Sequence, residues 1–408
     1  MVVRVYLTNE SYQRASGFSG KLPKIPVSAK IFREHIRCGG VMAPSALDGM
    51  KVLELSRHLA GPYCAMMLGD LGAEVIKVER PGIGDETRQW QPPFAGSESA
   101  YYLCCNRNKK SLTLNLKHER GVEIARALAE RSDVLIENFR IGGASELGLG
   151  YDELKQVNPR LIYCSISGFG HTGPDRELPG YDLMIQARGG IMSITGERDG
   201  TPTKIGVAVA DVATALFACN AILAALFVRE RTGVGQHLDT ALLDSQIALL
   251  ANVGSNYLCS GEVPQRWGNA HSGIVPYQVF KTADDYLVLA IGNDGQWQRF
   301  CKAAGADQLG DDERFATNSL RVENRDALIS SLENLFQGRT VAEWLQLCSE
   351  ADVPAGPVNS LDAVFADPQT LARGMLVEMP HPTADTMRLA GSPLNLSATP
   401  VQMRLSPP

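Results

Sequence analysis

The sequence predicts an α/β protein built around a parallel β-sheet. From Lys51 onward, short β-branched runs alternate with longer segments of helical period. The strand-like runs are KVLELS, EVIKVER, SLTLNL, DVLIENF and LIYCSISGF, and the helical segments include Ala60 to Leu71, HERGVEIARALAERS and DELKQVN. Such alternation predicts a parallel sheet with helices on both faces. Ligands of such sheets bind beyond the carboxyl ends of the strands, so we expect the functional site there.

Length and charge narrow the class of protein. The chain has 408 residues, which corresponds to roughly two or three domains. Its 39 Lys+Arg and 45 Asp+Glu give a net charge of −6, which argues against broad binding to nucleic acid. The nine cysteines form no Cys-x-x-Cys pair, which is typical of reduced thiols in a reducing compartment. Zinc-ligand spacings and a Walker A loop are also absent, so we expect no metal.

Two apolar helices are predicted after the alternating region. They run from Asp211 to Val228 and from Ala241 to about Leu258, with the loop RTGVGQHLD between them. The apolar run that ends at Val228 is broken by Thr214 and Asn220 and is shorter than a bilayer span. We therefore expect a buried helix and no membrane association.

The pattern of predicted strands and helices changes after Gly268. YLVLAIGN reads as a strand, and Gln296–Ala304, Asn324–Leu335 and Val341–Ser349 read as amphipathic helices, which together predict a smaller α+β domain. The predicted organisation is an N-terminal extension over 1–41, a large domain over 42–258 to which 361–408 returns, and a small domain over 259–360.

Three alternatives stay open for residues 1–41: a structural segment, a mitochondrial presequence, or a stretch upstream of a true start at Met42. The segment lacks the apolar core of a signal peptide. Pro23, Pro26, Glu10 and Glu34 also interrupt the amphipathic pattern of a presequence. We therefore expect a cytoplasmic protein, with the mitochondrial matrix as the alternative.

A basic segment follows the second predicted strand, and its cations are Arg80, Arg88, Arg107, Lys109, Lys110 and Lys117. Such a group near strand ends can hold phosphates through charge-assisted hydrogen bonds. A solvated charged face is the alternative. The nearby GIGDET lacks the third glycine of the dinucleotide fingerprint, so nicotinamide or flavin chemistry has little support.

Two carboxylates are candidates for chemistry. Asp211 stands at the start of an apolar helix after a run of small residues, where it is either an N-cap or a nucleophile in a partly dry setting. Asp182, in Gly-Tyr-Asp, is either an acid or base or an ordinary turn residue.

Histidines and aromatic residues add weaker candidates. His58 follows the first strand and His271 lies in a loop of small residues, although structural roles are the alternative for both. Trp90, Tyr101 and Tyr102 could cover a flat ligand group or belong to the core.

Several motifs together resemble those of the family III CoA-transferases, the family of formyl-CoA transferase and carnitine CoA-transferase. They are GDLGAEVIKVERPGIGDETR (69–88), LDGMKVLELS followed by Ala60-Gly61-Pro62, NRNKKS (106–111), Val134–Phe139 with Gly148-Leu149-Gly150, and GVAVAD (206–211). RWGNAHSGIVPYQVFKT (266–282), PPF (92–94) and Tyr101-Tyr102-Leu103 are most similar to the branch that contains succinyl-CoA–glutarate CoA-transferase.

The resemblance implies a Rossmann-like large domain, a small domain, and a homodimer of interlocked subunits with the site at their boundary. It implies that Asp211 is the nucleophile and that CoA itself is the carrier, with no further cofactor. The implied CoA-binding residues are His58, Leu59, Ala60, Arg80, Leu114, Asn115, Leu116, Lys117, Asn138, Phe139, Arg140, Pro179, Gly180, Tyr181 and Asp182. The implied acyl pocket contains Trp90 and Tyr101, covered by a reduced flap at His271, Ser272 and Gly273.

The chain departs from the family pattern at three other places. Leu59 replaces a glutamine of formyl-CoA transferase, and Glu146 replaces an arginine that contacts CoA, which leaves Arg140 or Lys109 to supply that charge. Relatives usually continue past the position of Pro408 into a final helix, so we expect weaker closure or dimer stability here.

We therefore expect an enzyme that moves CoA from a dicarboxylic acyl-CoA, such as succinyl-CoA, to a free carboxylic acid such as glutarate through an aspartyl-CoA thioester. One alternative is an acyl-CoA racemase or epimerase of the same fold, which would use Asp182 and His171. The other is a non-catalytic CoA-binding protein.

Overall fold

The structure is a computed structural model, and it describes residues 45–90 and 92–408. The prediction for residues 1–41 lies outside the described residues. The strands are β1 (Lys51–Glu54), β2 (Glu74–Glu79), β3 (Phe94–Ala95), β4 (Glu98–Ser99), β5 (Lys109–Thr113), β6 (Val134–Glu137), β7 (Ile162–Ser167), β8 (Gln236–Ala241), β9 (Tyr277–Lys281), β10 (Tyr286–Ala290), β11 (Ala355–Pro357), β12 (Leu376–His381) and β13 (Asp385–Ala390).

Helices connect and cover these strands. They are α1 (Ala60–Asp70), α2 (Ala100–Leu103), α3 (Glu119–Ala129), α4 (Gly143–Glu146), α5 (Tyr151–Val157), α6 (Asp182–Arg188), α7 (Ile191–Ile194), α8 (Val209–Thr232), α9 (Leu242–Ala248), α10 (Ala251–Ser260), α11 (Asp294–Ala304), α12 (Asp307–Gly310), α13 (Asn318–Glu323), α14 (Arg325–Phe336), α15 (Val341–Glu350), α16 (Leu361–Ala366) and α17 (Pro368–Ala372). Short 3₁₀ turns lie at Glu86–Gln89 and Glu313–Phe315.

The main sheet has six strands in the order β5-β2-β1-β6-β7-β8, and all neighbours are parallel. This confirms the predicted α/β class with a parallel sheet. The strand order reverses between β1 and β6, and in doubly wound sheets that reversal opens a crevice at the carboxyl ends of the strands.

Apolar cores lie on both faces of the sheet. On one face α1 and α8 pack together on inward side chains such as Val52, Ile136 and Ile166. On the other face Leu53 and Tyr163 pack against Ala125 of α3 and Leu154 of α5. The outcome is the two-sided cover that strand–helix alternation predicts.

Helix α8 is long and apolar enough, by length and composition, to cross a bilayer. The same property is found in core helices of water-soluble proteins. Its Ala215, Ala218 and Ile222 are fully buried against the sheet and α1. These contacts confirm the prediction that it is a core helix.

A second apolar core forms around the antiparallel sheet β11-β10-β9. Trp297 and Phe300 from α11, Phe336 from α14 and Trp344 from α15 pack on it and are fully buried. The hairpin β12-β13 packs instead on Tyr102 and Leu103. The domain boundaries at 258 and 360 stay predictions.

The structure corrects two predictions between 229 and 260. The predicted loop RTGVGQHLD contains most of strand β8, which pairs with β7. Gly235 permits this pairing, because a Cβ there would lie 2.1 Å from the Leu161 carbonyl oxygen. The single helix predicted over 241–258 is two helices, since Ala251 has φ +41°, a left-handed value that interrupts α-helical geometry.

Candidate functional site

A cavity of about 690 Å³ opens at the carboxyl ends of β1, β2, β5 and β6. This is the edge of the sheet at which the sequence predicts a ligand site. Predicted CoA-binding residues that line the cavity are Arg80, Leu114, Asn115, Leu116, Lys117, Phe139 and Arg140. Arg57, Glu79 and Asp85 also line it.

The cavity cations face carboxylates. Arg57 Nη1 donates to Glu86 Oε1 at 2.6 Å, and Arg80 Nη2 contacts the same oxygen. Arg140 contacts Glu146, the residue that stands in place of a family arginine. A ligand anion that enters this cleft therefore meets guanidinium groups that already have partners.

The basic segment divides into two groups. Arg80 and Lys117 line the cavity, as expected for phosphate partners. The other four cations form ion pairs, Arg88 with Glu79, Arg107 with Asp70, Lys109 with Glu54, and Lys110 with Glu74, of which the last is exposed to solvent. The suggestion that Lys109 replaces the missing family arginine is wrong, because its fully buried ammonium is bound to Glu54 Oε2 at 2.8 Å.

A buried ionic network forms part of the cavity wall. Lys77 Nζ is 2.9 Å from both Glu54 Oε1 and Asp85 Oδ2, and all three side chains are inaccessible to solvent. Burial opposes the charge of Lys77, but the two carboxylates outweigh it and raise its pKa. Asp85 in turn accepts hydrogen bonds from the Thr87 amide and hydroxyl. The network fixes the loop after β2 to strand β1.

The predicted residues His58, Leu59 and Ala60 lie where β1 leads into α1. His58 adopts φ +70°, a left-handed conformation that is uncommon for a non-glycine residue. Leu59 and Ala60 are buried. Asn138 ties this turn to the end of β6, since it accepts from the Arg57 amide at 3.0 Å and donates to the Arg57 carbonyl at 2.9 Å.

Asp211 is the third residue of α8, whose N-cap is Ala208. The N-cap interpretation of Asp211 is therefore wrong. Its carboxylate is partly buried, and the amide of Ala60, the first residue of α1, acts to lower its pKa. Burial raises the pKa of Asp211 to about 6, with a further contribution from the negative charge of Asp182. The result is a carboxylate that is ionised at neutral pH although it is largely removed from water.

Asp182 begins helix α6 rather than sitting in a turn. Its Oδ1 accepts from the Ala210 amide at 2.9 Å, and its Oδ2 accepts from Gln186 Nε2 at 2.8 Å. Asp182 thus satisfies a free amide at the start of α8, one residue before Asp211. Pro179, Gly180 and Tyr181 lead into α6, and the side chain of Tyr181 is exposed.

Three aromatic rings meet around Trp90. His58 stacks on Trp90 with centroids 5.4 Å apart, and Trp90 meets Tyr101 edge-on at 5.0 Å. Burial raises the pKa of Tyr101, with a further contribution from the negative charge of Asp211. Burial lowers the pKa of His58 despite the neighbouring Asp85 and Glu86. Tyr102 instead belongs to the core, where Arg88 donates to its hydroxyl at 2.6 Å.

The predicted flap residues lie elsewhere in this chain. His271 and Ser272 line a second cavity of about 560 Å³, which shares no lining residue with the first. Arg325 Nη2 donates to the Ser272 carbonyl at 2.6 Å, and Asn318 donates to the Gly273 carbonyl at 2.9 Å. Within the described part of the chain, no contact joins this segment to Asp211.

The two residues of the racemase alternative have separate partners. The His171 amide donates to Asp239 Oδ2 at 2.9 Å, and its ring packs on His237 at 5.2 Å. Asp182 binds Ala210 and Gln186 instead. No contact pairs His171 with Asp182 in the part of the chain that the structure describes. Residues 45–90 and 92–408 also contain no group of three or more His, Cys, Asp or Glu suited to a metal ion.

Sequence reasoning missed Arg57, Lys77 and Asp85, which line the cavity. It also missed Glu86, which pairs with Arg57 and Arg80, and Glu54, which pairs with Lys77. One signal was present, because Glu54 and Lys77 carry opposite charges and each has apolar neighbours on both sides within KVLELS and EVIKVER. Buried charges in proteins are usually paired, so two such strands predict an ionic contact when they are neighbours.

Comparison with known proteins identifies the family. The family model described as "CoA-transferase family III" matches residues 47–408. A succinyl-CoA:glutarate CoA-transferase of Mus musculus is 48% identical over 362 residues, which cover 89% of this chain and 83% of that protein. A succinate–glutarate CoA-transferase of Agrobacterium fabrum is 48% identical over 364 residues, covering 87% and 90%.

Solved structures agree with these sequence relatives. A CAIB/BAIF family protein from Brucella suis has a TM-score of 0.83 and 48% identity, covering 90% of this chain and 96% of that one. The Rv3272 protein of Mycobacterium tuberculosis has a TM-score of 0.80 and 32% identity, covering 90% and 97%. With its parallel sheet, its cavity at the strand ends and its partly buried Asp211, the chain belongs to CoA-transferase family III.

Proposed function

We propose that this CoA-transferase moves CoA from succinyl-CoA to a free dicarboxylate such as glutarate, with Asp211 as the nucleophile. Support for the substrates comes from relatives named for succinyl-CoA and glutarate that are 46–48% identical to this chain. Support for the chemistry comes from the setting of one carboxylate.

The observation that carries the proposal is the setting of Asp211, a partly buried carboxylate in the first turn of α8 whose pKa is raised by burial to about 6. A carboxylate that has lost much of its hydration is a better nucleophile than one in bulk water. It is still ionised at pH 7, which attack on a carbonyl carbon requires. The Ala60 amide favours the ionised form of the same carboxylate.

The proposed reaction has four acyl-transfer steps. An oxygen of Asp211 attacks the thioester carbonyl carbon of succinyl-CoA, and the C–S bond breaks to give a mixed anhydride and CoA thiolate. The thiolate attacks the Asp211 carbonyl carbon, which releases succinate and forms an aspartyl-CoA thioester. A glutarate carboxylate then attacks this thioester and expels the thiolate. Finally the thiolate attacks the glutaryl carbonyl carbon, which yields glutaryl-CoA and regenerates the Asp211 carboxylate.

CoA is proposed to lie along the cavity with its phosphates near Arg80, Lys117 and Arg140, because guanidinium and ammonium groups bind phosphates well. Leu114 to Leu116 and Phe139 would contact the adenosine portion. His58 to Ala60, Asn138 and the turn from Pro179 to Asp182 would guide the pantetheine arm to Asp211. No cofactor beyond CoA takes part, since every step is an acyl transfer.

We also propose that the protein is a homodimer. Large apolar side chains are exposed along the outer side of α8 and on the two following helices, namely Leu216, Phe217, Phe227, Val228, Ile247, Leu249 and Leu258. Extended apolar surface of this kind usually marks a protein interface. In an interlocked dimer, His271 to Gly273 of one subunit would cover Asp211 and the Trp90–Tyr101 pocket of the other. Sedimentation at micromolar and nanomolar concentration should show a dimer, and a stable monomer at both would contradict the proposal.

The proposed location is the cytoplasm, with the mitochondrial matrix as the alternative. Support comes from the eight described cysteines, all of which are free thiols, as expected in a reducing compartment. Fractionation of cells that express the full chain tests this, and recovery from an oxidising compartment would contradict both locations.

Trapping of the acyl-enzyme tests the mechanism. The enzyme is incubated with succinyl-CoA in the absence of an acceptor and quenched with hydroxylamine or borohydride. We expect a modification on the peptide that contains Asp211, and none in the Asp211→Asn control. Modification of Asp182 instead would contradict the assignment.

Exchange assays separate the rival functions. Labelled succinate is incubated with a panel of acyl-CoAs, and a CoA-transferase incorporates the label into succinyl-CoA. A racemase would instead exchange the α-proton of an acyl-CoA with solvent deuterium. A non-catalytic binding protein would bind the thioester and do neither.

A further inference from the structure

We propose that Glu86 sets the affinity of the cleft for CoA by occupying Arg57 and Arg80 in the ligand-free enzyme, so that the CoA phosphates must displace it. This inference rests on the proposed function, because that proposal places CoA in the cavity. Glu86 is the first residue of the 3₁₀ turn after β2. Arg57 donates to its Oε1 at 2.6 Å, and Arg80 contacts the same oxygen.

The second carboxylate oxygen of Glu86 is poorly satisfied. Oε2 is buried and accepts no hydrogen bond from any residue in 45–90 or 92–408. His58 Nε2 lies 3.7 Å from this oxygen. A buried oxygen without a donor costs free energy. Displacing this carboxylate with a competing anion therefore costs less than displacing one whose oxygens all accept hydrogen bonds.

Glu79, a few residues earlier, shows what a fixed carboxylate looks like in this protein. It accepts from Arg88 Nε and Nη2, both at 2.8 Å, from Ser111 at 2.7 Å and from the Asp85 amide at 2.9 Å. Within the described residues, the hydrogen-bond donors to Glu86 are the two arginines that line the cavity. Glu79 is therefore held by the fold, whereas Glu86 is held by the groups that a ligand would claim.

Competition follows from the charges. A phosphate carries more charge than a carboxylate and matches the guanidinium fork, so it takes Arg80 in the complex. The displaced Glu86 then remains near the phosphate and repels it. Both effects reduce the affinity for CoA below the value that the two arginines alone would give.

The alternative role for Glu86 is preorganisation of the two arginines, and it predicts the opposite change in the affinity for CoA. If Glu86 served to hold Arg57 and Arg80 in a binding geometry, its neutralisation would loosen them and weaken CoA binding. The direction of the change in affinity therefore decides between competition and preorganisation.

The test is calorimetric titration of the full-length enzyme with CoA at low ionic strength. Glu86→Gln should lower the Kd about three- to tenfold, the range expected from two partly exposed ion pairs. The matched control is Glu74→Gln, which changes the net charge equally and breaks an ion pair of similar geometry, with Lys110, at the amino end of β2. The control should leave the Kd unchanged. The gain should also shrink at high salt, because salt screens exposed charges.

A double-mutant cycle checks that Glu86 acts through the arginines. In an Arg80→Ala background, where CoA binds more weakly, Glu86→Gln should give a smaller gain than in wild type. An unchanged or raised Kd for Glu86→Gln, with normal thermal midpoints, overturns the inference while CoA binding by wild type still supports the proposed function. Failure of wild type to bind CoA at all overturns both.

Discussion

Two carboxylates at the same end of the sheet, Asp211 and Glu79, have pKa values shifted in opposite directions. Burial raises the pKa of Asp211 to about 6. Burial acts in the same direction on Glu79, but hydrogen bonds from Arg88 and Ser111 and the charge of Arg88 outweigh it, and the pKa of Glu79 falls to about 2. Burial opposes the ionisation of both groups, so burial alone does not distinguish them.

The difference lies in the partners. Glu79 has a bidentate guanidinium, a hydroxyl and an amide as donors. Asp211 has one amide and a carboxylate neighbour. A buried charge with several hydrogen-bond and ion-pair partners stabilises the fold and is unreactive. A buried charge with few partners keeps its reactivity and lowers the stability of the fold. Replacing each carboxylate by its amide tests this difference between Asp211 and Glu79.

The largest effect is expected on turnover. Asp211→Asn should reduce kcat by several orders of magnitude, because an amide cannot form the mixed anhydride. CoA binding, measured by titration, should stay close to wild type. Since Asp211 is not the N-cap of α8, loss of helix capping offers no other explanation for the defect. Retained exchange activity would remove Asp211 as the nucleophile.

The next effect is on stability and concerns Glu79. Glu79→Gln should lower the free energy of unfolding by about 3 kcal/mol at pH 7, because it leaves the Arg88 guanidinium with an amide in place of a charge. Urea denaturation monitored by circular dichroism measures this. Glu378→Gln, which breaks an exposed ion pair with Arg388, is the control and should change stability by less than about 1 kcal/mol. Equal effects of the two substitutions would contradict the role assigned to Glu79.

A smaller effect of opposite sign is expected for Asp211. Its folded pKa of about 6 exceeds the ordinary aspartate value of 3.8, so the folded state binds more protons between these values. Stability from this group is therefore full below about pH 4 and is lost as pH rises through 6. Asp211→Asn should remove that loss and stabilise the inactive enzyme by about 2 kcal/mol at pH 8. Denaturation curves at pH 5 and pH 8 check the sign, and a destabilised variant at pH 8 would contradict it.

Much of this arrangement was accessible from sequence. The apolar strands and helical periods predicted the sheet, and the edge that holds the cavity followed from parallel topology. β8 was missed because Gln236, His237, Asp239 and Thr240 supply almost no apolar signal, and its pairing with β7 depends on tertiary contacts. The break between α9 and α10 was missed because one left-handed residue, Ala251, leaves no mark on the hydrophobic period.

The sequence predicted which types of residue form the site, but it did not predict which of them pair with each other. Arg80 and Arg88 look alike in sequence, yet Arg80 lines the cavity and Arg88 is bound to Glu79. Only the fold decides which cation meets which carboxylate. For the same reason His271 was predicted beside Asp211, although within one chain it lines another cavity.

The smallest expected effect is on the pH dependence of activity. kcat/KM should fall on the acid side with a midpoint near the Asp211 pKa of about 6, since only the ionised carboxylate attacks. The negative charge of Asp182 helps to raise that pKa, so Asp182→Asn should move the midpoint to lower pH, while its amide oxygen can still accept from Ala210. Rate profiles from pH 4.5 to 8 measure both midpoints. Glu79→Gln should leave the midpoint in place, because Glu79 does not contribute to the raised pKa of Asp211. A midpoint that follows Glu79 rather than Asp182 would show that the acid limb reports unfolding and not the nucleophile.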